Sequence, residues 1–313
     1  MDHNTIIRRQ WPGYEVLGFL GGVGSRRIYE IANKSSTGEA RYAVKVIPVS
    51  EIAKERKRDP EECMKALSQE VRVMQTLKGH PHIVSIEDFA VICERESNQS
   101  YLLIRMELLK SFGLWRDQRG ELTREDIVRL GIELCRALEH CHGNKIIHYD
   151  IKLDNIFVDA GNHFKLGDFG MSWMAESDQR CIFRVGLTSS RIPEIYNGGF
   201  DYRIFESLVK TDIYSMGMVL YKLLNADTDP FLPTDRPATR EESVIAEKVR
   251  VGGILPVPPP MHADGALSKI ILKAIAHDPE QRYASARALR EALEALSGTP
   301  RTEPHDRNKE QTT

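Results

Sequence analysis

The sequence H-Y-D-I-K-L-D-N at residues 148–155, followed by D-F-G at residues 168–170, decides how this chain is interpreted. Each motif follows a short apolar segment, which places the carboxylates of Asp150 and Asp168 and the amide of Asn155 on neighbouring loops. Carboxylate and amide oxygens suit Mg²⁺, and a further carboxylate orients a hydroxyl that attacks a phosphoryl group. The pattern therefore predicts a site that aligns a hydroxyl with a nucleoside triphosphate.

The composition is that of a globular protein with a substantial core. The chain has 313 residues, 41% hydrophobic and 28% charged, enough for one large domain or two packed lobes. Its net charge of −2 gives no electrostatic basis for a nucleic-acid partner, and no apolar run is long enough to span a membrane. The first residues lack the apolar core of a secretion signal, so we expect a cytoplasmic protein. Free thiols are predicted for the five cysteines, which form no C-x-x-C pair: Cys63, Cys93, Cys135, Cys141 and Cys181.

The first part of the chain is predicted to be rich in strands. Glycines 21, 22 and 24 lie between the first two of them. Strands are predicted over residues 14–20, 27–32, 41–49, 83–91 and 101–107. A helix is predicted over residues 60–77 because Leu67, Val71 and Met74 recur at three- and four-residue steps and form one apolar face.

Helices dominate from about residue 114 onward. Thr123, three residues before Asp126, predicts a capping box at the start of a helix that ends near Gly143. Residues 212–224 are apolar nearly all round, which indicates a deeply buried helix. Further helices are predicted over residues 267–275 and 289–296. A β-rich part followed by an α-rich part is an α+β arrangement, with a natural ligand site between the two.

The two opening motifs together resemble the catalytic and metal-binding loops of eukaryotic-like protein kinases. The resemblance implies that Asp150 is the catalytic base and that Lys152 offsets charge on the transferring phosphoryl group. It also implies that Asn155 and Asp168 bind the metal. ATP and Mg²⁺ are the implied cofactors.

Motifs between residues 42 and 109 extend the resemblance. Y-A-V-K, ending at Lys45, resembles the V-A-I-K strand whose lysine contacts the α- and β-phosphates, and Glu70 stands where the family keeps the glutamate that pairs with this lysine. M-E-L-L, beginning at the gatekeeper Met106, resembles the hinge that binds adenine through backbone groups. The resemblance implies that the following residues line the ATP site: Gly21, Gly22, Gly24, Ile28, Ala43, Lys45, Glu70, Met106, Glu107, Leu109 and Phe157.

Three motifs of the second half complete the resemblance. I-P-E, ending at Glu194, resembles A-P-E, D-I-Y-S-M-G begins at Asp212, and H-D-P-E-Q-R-Y contains Arg282. In the family the arginine of the last motif pairs with the glutamate of the first, so Arg282 and Glu194 are expected to meet. Small-molecule kinases with a similar catalytic loop usually lack these elements, which favours a protein substrate.

The resemblance covers nearly the whole chain and implies a two-lobed α+β protein kinase fold. We predict a kinase domain over residues 10–297, with a β-rich N-lobe that has one main helix (about 10–107), an α-rich C-lobe (about 111–297) and an ATP cleft between them. The D-x-K-x-x-N loop is similar to that of the serine/threonine branch, in particular of bacterial members, which implies Ser or Thr acceptors. Residues 298–313 are polar and predicted to be a disordered tail.

The glycine-rich loop departs from the family pattern. If Ile28 is aligned with the valine that covers adenine, Gly21 matches the first glycine, but Val23 and Arg26 stand at the second and third. Arg26 near the triphosphate would either add a charge contact or block close approach of the backbone.

Further departures lie in the C-lobe. Tyr149 replaces the arginine of H-R-D, which captures an activation-loop phosphate, so activity is predicted not to require phosphorylation between Met171 and Pro193. Leu187 stands where the family often has a threonine that contacts the catalytic residues. The stretch Gly199–Lys210 is longer than usual and is predicted to be a surface loop, as a tolerated insertion or, less favoured, a substrate contact.

These departures leave alternatives to an active cytosolic serine/threonine protein kinase. Val23, Arg26, Tyr149 and Leu187 motivate a pseudokinase that acts as a nucleotide-binding scaffold. A small-molecule kinase is a third, less favoured hypothesis. Oligomeric state is open, with a homodimer among the alternatives.

Overall fold

The structure is a computed structural model that describes residues 2–22, 24–35, 40–94, 99–174, 192–196 and 204–297. Val23, Leu187 and the tail predicted to be disordered lie outside the described residues. Cys181 does so too, while the remaining four cysteines are free thiols, as predicted. Within the described ranges, no helix combines the length and apolar character needed to cross a bilayer.

An antiparallel sheet of five strands forms the N-lobe. The strands are β1 (Tyr14–Gly21), β2 (Arg27–Asn33), β3 (Arg41–Pro48), β4 (Ile86–Glu94) and β5 (Gln99–Glu107). Their order across the sheet is β1-β2-β3-β5-β4, which places β3 at the centre. The fourth predicted strand was placed three residues too early, because residue 83 makes only an isolated bridge.

A helix that was not predicted from the sequence, α1 (His3–Gln10), covers one face of this sheet. Its Ile7 is buried in a cluster with Val44 and Val46 of β3. Successive residues of a strand point to opposite faces, so Lys45 faces away from α1. We call the face that carries Lys45 the cleft face.

Two helices follow β3 on the other side of the sheet. α2 (Val49–Arg56) is short, and α3 (Pro60–Thr76) is the main helix of the N-lobe. The Asp59 side chain caps α3 by accepting hydrogen bonds from two backbone N–H groups, and Pro60 takes the first helical position, where no donor is needed. The predicted apolar face of α3 is confirmed, since the following residues are buried: Leu67, Val71 and Met74.

The C-lobe is mostly helical. Its helices are α4 (Phe112–Arg119), α5 (Arg124–Gly143), α6 (Pro193–Tyr196), α7 (Phe205–Leu223), α8 (Arg240–Gly252), α9 (Gly265–Ala274) and α10 (Ala286–Ser297). The predicted capping box is confirmed, because Thr123 Oγ1 accepts from the Asp126 N–H and Asp126 Oδ2 accepts from the Thr123 N–H. Helix α5 packs against α10 and α7.

Helix α7 is buried along most of its length and corrects one prediction. It begins at Phe205, so the second half of Gly199–Lys210 is helical and not a surface loop. Helix α9 approaches α7 closely at Gly217, where an added Cβ would lie 2.6 Å from a methyl carbon of Ile275. Glycine at this position therefore sets how tightly the two helices pack.

Five short strands position the two loops that carry the opening motifs. They are β6 (Lys110–Ser111), β7 (Ile146–Ile147), β8 (Ile156–Val158), β9 (Phe164–Leu166) and β10 (Trp173–Met174). β8 pairs with β6 and β9, and β7 pairs with β10. The loop between β7 and β8 holds residues 148–155, and the loop between β9 and β10 holds residues 167–172.

Candidate active site

Lys45 lies at the centre of a network of charged side chains. Its Nζ donates to Glu70 Oε1 at 2.6 Å and to Asp168 Oδ1 at 2.9 Å. These three residues come from β3, α3 and the loop after β9, and Lys45 and Glu70 are both buried. The pairing of Lys45 with Glu70 that the sequence resemblance implies is present, and it ties the main N-lobe helix to the sheet.

The charges of this network reinforce one another. Burial alone would lower the pKa of Lys45, but the carboxylates of Glu70 and Asp168 outweigh it and the pKa is raised. The charge of Lys45 in turn holds the pKa of Asp168 well below its usual range, against the opposing effect of burial. Lys45 and Asp168 are therefore both ionised at neutral pH.

The cleft face brings several predicted ATP-site residues next to Lys45. Ile28 of β2 pairs directly with Lys45, and Met106 of β5 pairs directly with Ala43. Directly opposed residues of antiparallel strands share a face, as do residues two apart on one strand. Ile28, Ala43, Lys45 and Met106 therefore line one continuous surface.

The glycine-rich loop follows β1 and leads into β2. Gly21 ends β1 and pairs with Ile28, and Gly24 has φ of 58°, a left-handed conformation that glycine adopts at no steric cost. At Gly22 an added Cβ would clash with the carbonyl oxygen of Arg26. Glycine at this position lets the two ends of the loop approach each other.

The connection between the lobes begins where β5 ends. The Glu107 carboxylate accepts from the Ser85 N–H at 2.6 Å and from Lys165 Nζ at 2.8 Å. Its side chain therefore holds the two lobes together, and its backbone N–H donates to the Ser85 carbonyl oxygen at 3.1 Å. Leu109, two residues after Glu107, is partly buried, and Phe157 lies on β8, with its ring against Gly167.

The loop of residues 148–155 holds Asp150 in a fixed orientation. Asp150 Oδ2 accepts from Lys152 Nζ at 2.8 Å and from Asn155 Nδ2 at 2.9 Å, and Asn155 Nδ2 also donates to the Asp150 carbonyl oxygen at 2.7 Å. In the described part of the chain, Asp150 Oδ1 receives no hydrogen bond. One oxygen of this carboxylate is thus anchored, and the other is left for a further donor.

Asn155 and Asp168 supply a set of oxygen atoms that fits Mg²⁺. The backbone N–H of Gly167 donates to the Asn155 carbonyl oxygen at 2.9 Å, which fixes Asn155 beside the residue that precedes Asp168. Because the Asn155 amide nitrogen is used on Asp150, its Oδ1 is directed elsewhere. Asp168 Oδ2 has no donor among the residues described. A carboxylate oxygen and an amide oxygen are hard ligands of the type that Mg²⁺ prefers.

Asp212 is hydrogen-bonded to the backbone of the loop that holds residues 148–155. It is fully buried on α7, and its carboxylate accepts from the backbone N–H groups of His148 and Tyr149, each at 2.9 Å. It also lies 2.9 Å from His142 Nε2. From sequence, Asp212 was predicted only as part of a buried helix, and nothing in the sequence pointed to His142.

His148 links the two motif loops. Its Nδ1 accepts from the Asp150 N–H at 3.2 Å, and its Nε2 lies 3.1 Å from the Gly167 carbonyl oxygen, so Nε2 carries the proton. Burial lowers the pKa of His148, which favours this neutral form. Its ring also packs edge-on against Phe169.

Tyr149, where the family has arginine, occupies a left-handed conformation with φ of 62° and is buried. A bulky residue adopts this conformation only where its surroundings enforce it. The two hydrogen bonds of Asp212 to the neighbouring backbone provide that constraint. The segment whose phosphorylation an arginine would sense lies mostly outside the described residues.

Comparison with known proteins identifies the family. The profile of the family described as "Protein kinase domain" matches residues 14–293. The cell cycle serine/threonine-protein kinase CDC5/MSD2 of Saccharomyces cerevisiae is 30% identical over 228 residues, which cover 70% of this chain and 29% of that protein. Serine/threonine-protein kinase PknB of Mycobacterium leprae is 31% identical over 239 residues, 72% of this chain and 35% of that protein.

A third relative aligns over a longer stretch. NUAK family SNF1-like kinase 2 of Homo sapiens is 26% identical over 272 residues, 86% of this chain and 38% of that protein. The chain thus spans about a third of the length of the curated relatives that it matches. With the profile matched across most of its residues and the α+β architecture described above, the chain belongs to the protein kinase domain family.

Proposed function

We propose that this chain transfers the γ-phosphate of ATP to serine or threonine hydroxyls of protein substrates. One observation carries the proposal above all. Lys45 is bonded both to Glu70 on the main N-lobe helix and to Asp168 on the D-F-G loop, so the phosphate-binding lysine and the metal-binding carboxylate are held together in one charged network. Such a network is costly to bury without a function that uses its charge.

Asp150 is the proposed catalytic base. Its free Oδ1 accepts a hydrogen bond from the substrate hydroxyl and orients that oxygen toward the γ-phosphorus. As the new oxygen–phosphorus bond forms, the bond from phosphorus to the β–γ bridging oxygen breaks and ADP leaves with that electron pair. The hydroxyl proton passes to Asp150, while Lys152, bonded to Oδ2, keeps the carboxylate in place.

Asn155 and Asp168 would hold Mg²⁺, which neutralises charge on the phosphates when it is bound. Asp168 enters this role already ionised because Lys45 lies beside it. Ile28, Ala43 and Met106 form the apolar surface proposed to receive adenine. The other residues proposed to line the ATP site are Gly21, Gly22, Gly24, Glu107, Leu109 and Phe157.

A protein substrate is favoured over a metabolite. The buried pair of Glu194 and Arg282, expected from the resemblance to protein kinases, is present at 2.7 and 2.8 Å. Two relatives quoted above are named as serine/threonine-protein kinases. The near-zero net charge supports neither a nucleic-acid nor an anionic-membrane partner, and we propose a cytoplasmic location. A homodimer remains among the proposed states.

The test compares wild type with Lys45→Met in transfer of labelled γ-phosphate from ATP to a generic basic protein. Lys54→Met, an exposed change on α2, is the control. We expect phosphoserine or phosphothreonine in wild type and the control, a loss of at least about hundredfold in Lys45→Met, and no transfer after chelation of Mg²⁺. Wild-type activity that survives Lys45→Met unchanged would contradict the proposal.

The second candidate is a pseudokinase that binds nucleotide and acts as a scaffold. It is favoured by Arg26 in the glycine-rich loop and by Tyr149 in the catalytic loop. It predicts nucleotide binding without transfer to any protein, and a biological effect that survives Asp150→Ala. Label appearing on a metabolite and on no protein would instead indicate a small-molecule kinase.

A further inference from the structure

Arg26 lies where the glycine-rich loop enters β2, and the strand register places it on the cleft face. Arg27 pairs with Val46, whose side chain is buried on the opposite face against the α1 cluster. The next residue, Ile28, pairs with Lys45 on the cleft face. Because side chains alternate along the chain entering a strand, Arg26 is directed to the same side as Ile28 and Lys45.

Arg26 is half-buried, and the strand register directs its side chain toward the face that carries Lys45. Within the part of the chain that the structure describes, the Arg26 guanidinium makes no hydrogen bond and no ion pair of its own. A partly buried cation therefore faces a site in which Lys45 is already paired with the carboxylates of Glu70 and Asp168.

The residues on either side of Arg26 are anchored. Ser25 Oγ donates to Glu55 Oε1 on α2 at 2.5 Å. Arg27 folds back along the loop, where its Nη1 donates to the carbonyl oxygens of Gly24 and Arg26. These bonds engage both neighbours of Arg26, while the Arg26 side chain has no such partner among the described residues.

From this arrangement we propose that Arg26 is a phosphate-binding residue that contacts the triphosphate of ATP. Among the described residues Arg26 forms no ion pair with the carboxylates that hold Lys45, and a guanidinium without a carboxylate partner suits a phosphate group. Gly22 lets the two ends of the loop approach each other, because a side chain at this position would clash with the Arg26 carbonyl oxygen. Arg26 thus replaces a glycine backbone contact with a side-chain charge contact. This inference rests on the proposed use of ATP.

Equilibrium binding tests the proposal without requiring phosphoryl transfer. The dissociation constants of ATP and of adenosine are measured by calorimetry for wild type, Arg26→Gln, Arg26→Lys and Arg26→Gly. Arg8→Gln, which removes an exposed cation from α1 on the far side of the sheet, is the matched control. We expect Arg26→Gln to weaken ATP about tenfold and to leave adenosine unchanged, with Arg26→Lys recovering most of the loss.

Each outcome bears on the proposal. Wild-type ATP affinity in Arg26→Gln, or tighter ATP binding in Arg26→Gly, would overturn it and show that the side chain is neutral or obstructs the site. An equal loss of ATP and adenosine affinity would also overturn it, since the change would then act through folding of the loop. Wild type that binds no ATP would contradict it as well. Absence of transfer with intact, Arg26-dependent ATP binding would refute only the proposed kinase activity.

Discussion

The guanidinium of Arg282 donates to both carboxylate oxygens of Glu194, at 2.8 and 2.7 Å, across 88 positions of sequence. Arg282 has a fully buried side chain, and its remaining donors reach the carbonyl oxygens of Ala276, Lys210 and His277. The pair therefore joins three parts of the C-lobe: helix α6, helix α7 and the segment before α10.

We predict that Arg282→Met lowers the free energy of unfolding by about 3–5 kcal/mol, because the Glu194 carboxylate is left buried without its partner. The control is Glu280→Gln, which breaks the Lys210–Glu280 pair, where the Glu280 side chain is 80% exposed. That change is expected to cost less than about 1 kcal/mol. Urea unfolding followed by circular dichroism measures both. Equal effects of the two substitutions would refute the prediction.

Replacing Asp212 is predicted to disturb the catalytic loop. In Asp212→Asn, an NH₂ group replaces one of the two carboxylate oxygens, both of which have hydrogen-bond partners. At least one of His148, Tyr149 and His142 therefore loses its acceptor. We expect a loss of at least about 2 kcal/mol of stability and a lower kcat, with little change in KM for ATP.

The control for that experiment is Asp227→Asn. Asp227 accepts two hydrogen bonds from Arg116 but its side chain is about half exposed, so a loss below about 1 kcal/mol is expected. Steady-state kinetics and thermal unfolding are measured on both variants. If Asp212→Asn retained wild-type kcat and stability, the supporting role assigned to Asp212 would be wrong.

Stability is predicted to fall in acid partly through His80. Burial, followed by the charges of His140, His82 and Lys165, lowers the pKa of His80 from its ordinary value of 6.5 to about 4. A folded-state pKa below the unfolded one means that the unfolded chain takes up a proton first as pH falls. The contribution of His80 is therefore fully present above pH 6.5, declines between pH 6.5 and about 4, and is lost below that.

His80→Gln is expected to show a shallower fall of unfolding free energy between pH 6.5 and 4 than wild type. His262→Gln, a change at an exposed histidine, should follow the wild-type curve. Urea midpoints measured across this pH range provide the comparison. A slope in His80→Gln as steep as that of wild type would show that His80 does not contribute.

Much of this architecture follows from sequence, and the exceptions have physical causes. The α3 face and the capping box at Thr123 depend on local spacing, which sequence displays directly. Helix α1 was not predicted because its eight residues have only two adjacent apolar positions, which show no periodicity. Its burial depends on Val44 and Val46 of β3, on the face opposite the cleft face. The first turns of α7, beginning at Phe205, were missed because Glu206 and Lys210 interrupt the apolar pattern.

The candidate site also contains some contacts that sequence motifs predict and others that depend on how the chain packs. Lys45, Glu70 and Asp168 each belong to a motif that resembles the family, and these motifs together predicted one site. The three side chains are joined by hydrogen bonds. The contact of Asp212 with His142 joins residues 70 positions apart through a helix–helix packing that no local pattern encodes. The direction of Arg26 likewise required the register of β2 on β3.

Activity is predicted not to depend on phosphorylation between Met171 and Pro193, since Tyr149 cannot bind a phosphate as arginine does. Ser172 is unsuited as an acceptor because it is buried and its hydroxyl donates to the Phe169 carbonyl oxygen at 2.6 Å. The test therefore keeps Ser172. The remaining hydroxyl residues to be changed to alanine lie outside the described residues: Ser177, Thr188, Ser189 and Ser190. We expect a rate close to wild type; a hundredfold drop would contradict this.

The proposed action of Asp150 on the substrate hydroxyl can be tested by comparing three forms of the protein. Transfer of labelled γ-phosphate to a generic basic protein is measured for wild type, Asp150→Asn and Asp154→Asn, the last being an exposed carboxylate of the same loop. We predict that Asp150→Asn lowers the rate by about 10²–10⁴-fold while ATP affinity and Asp154→Asn activity stay near wild type. Wild-type transfer in Asp150→Asn, or no transfer by the wild-type chain despite bound ATP, would contradict it.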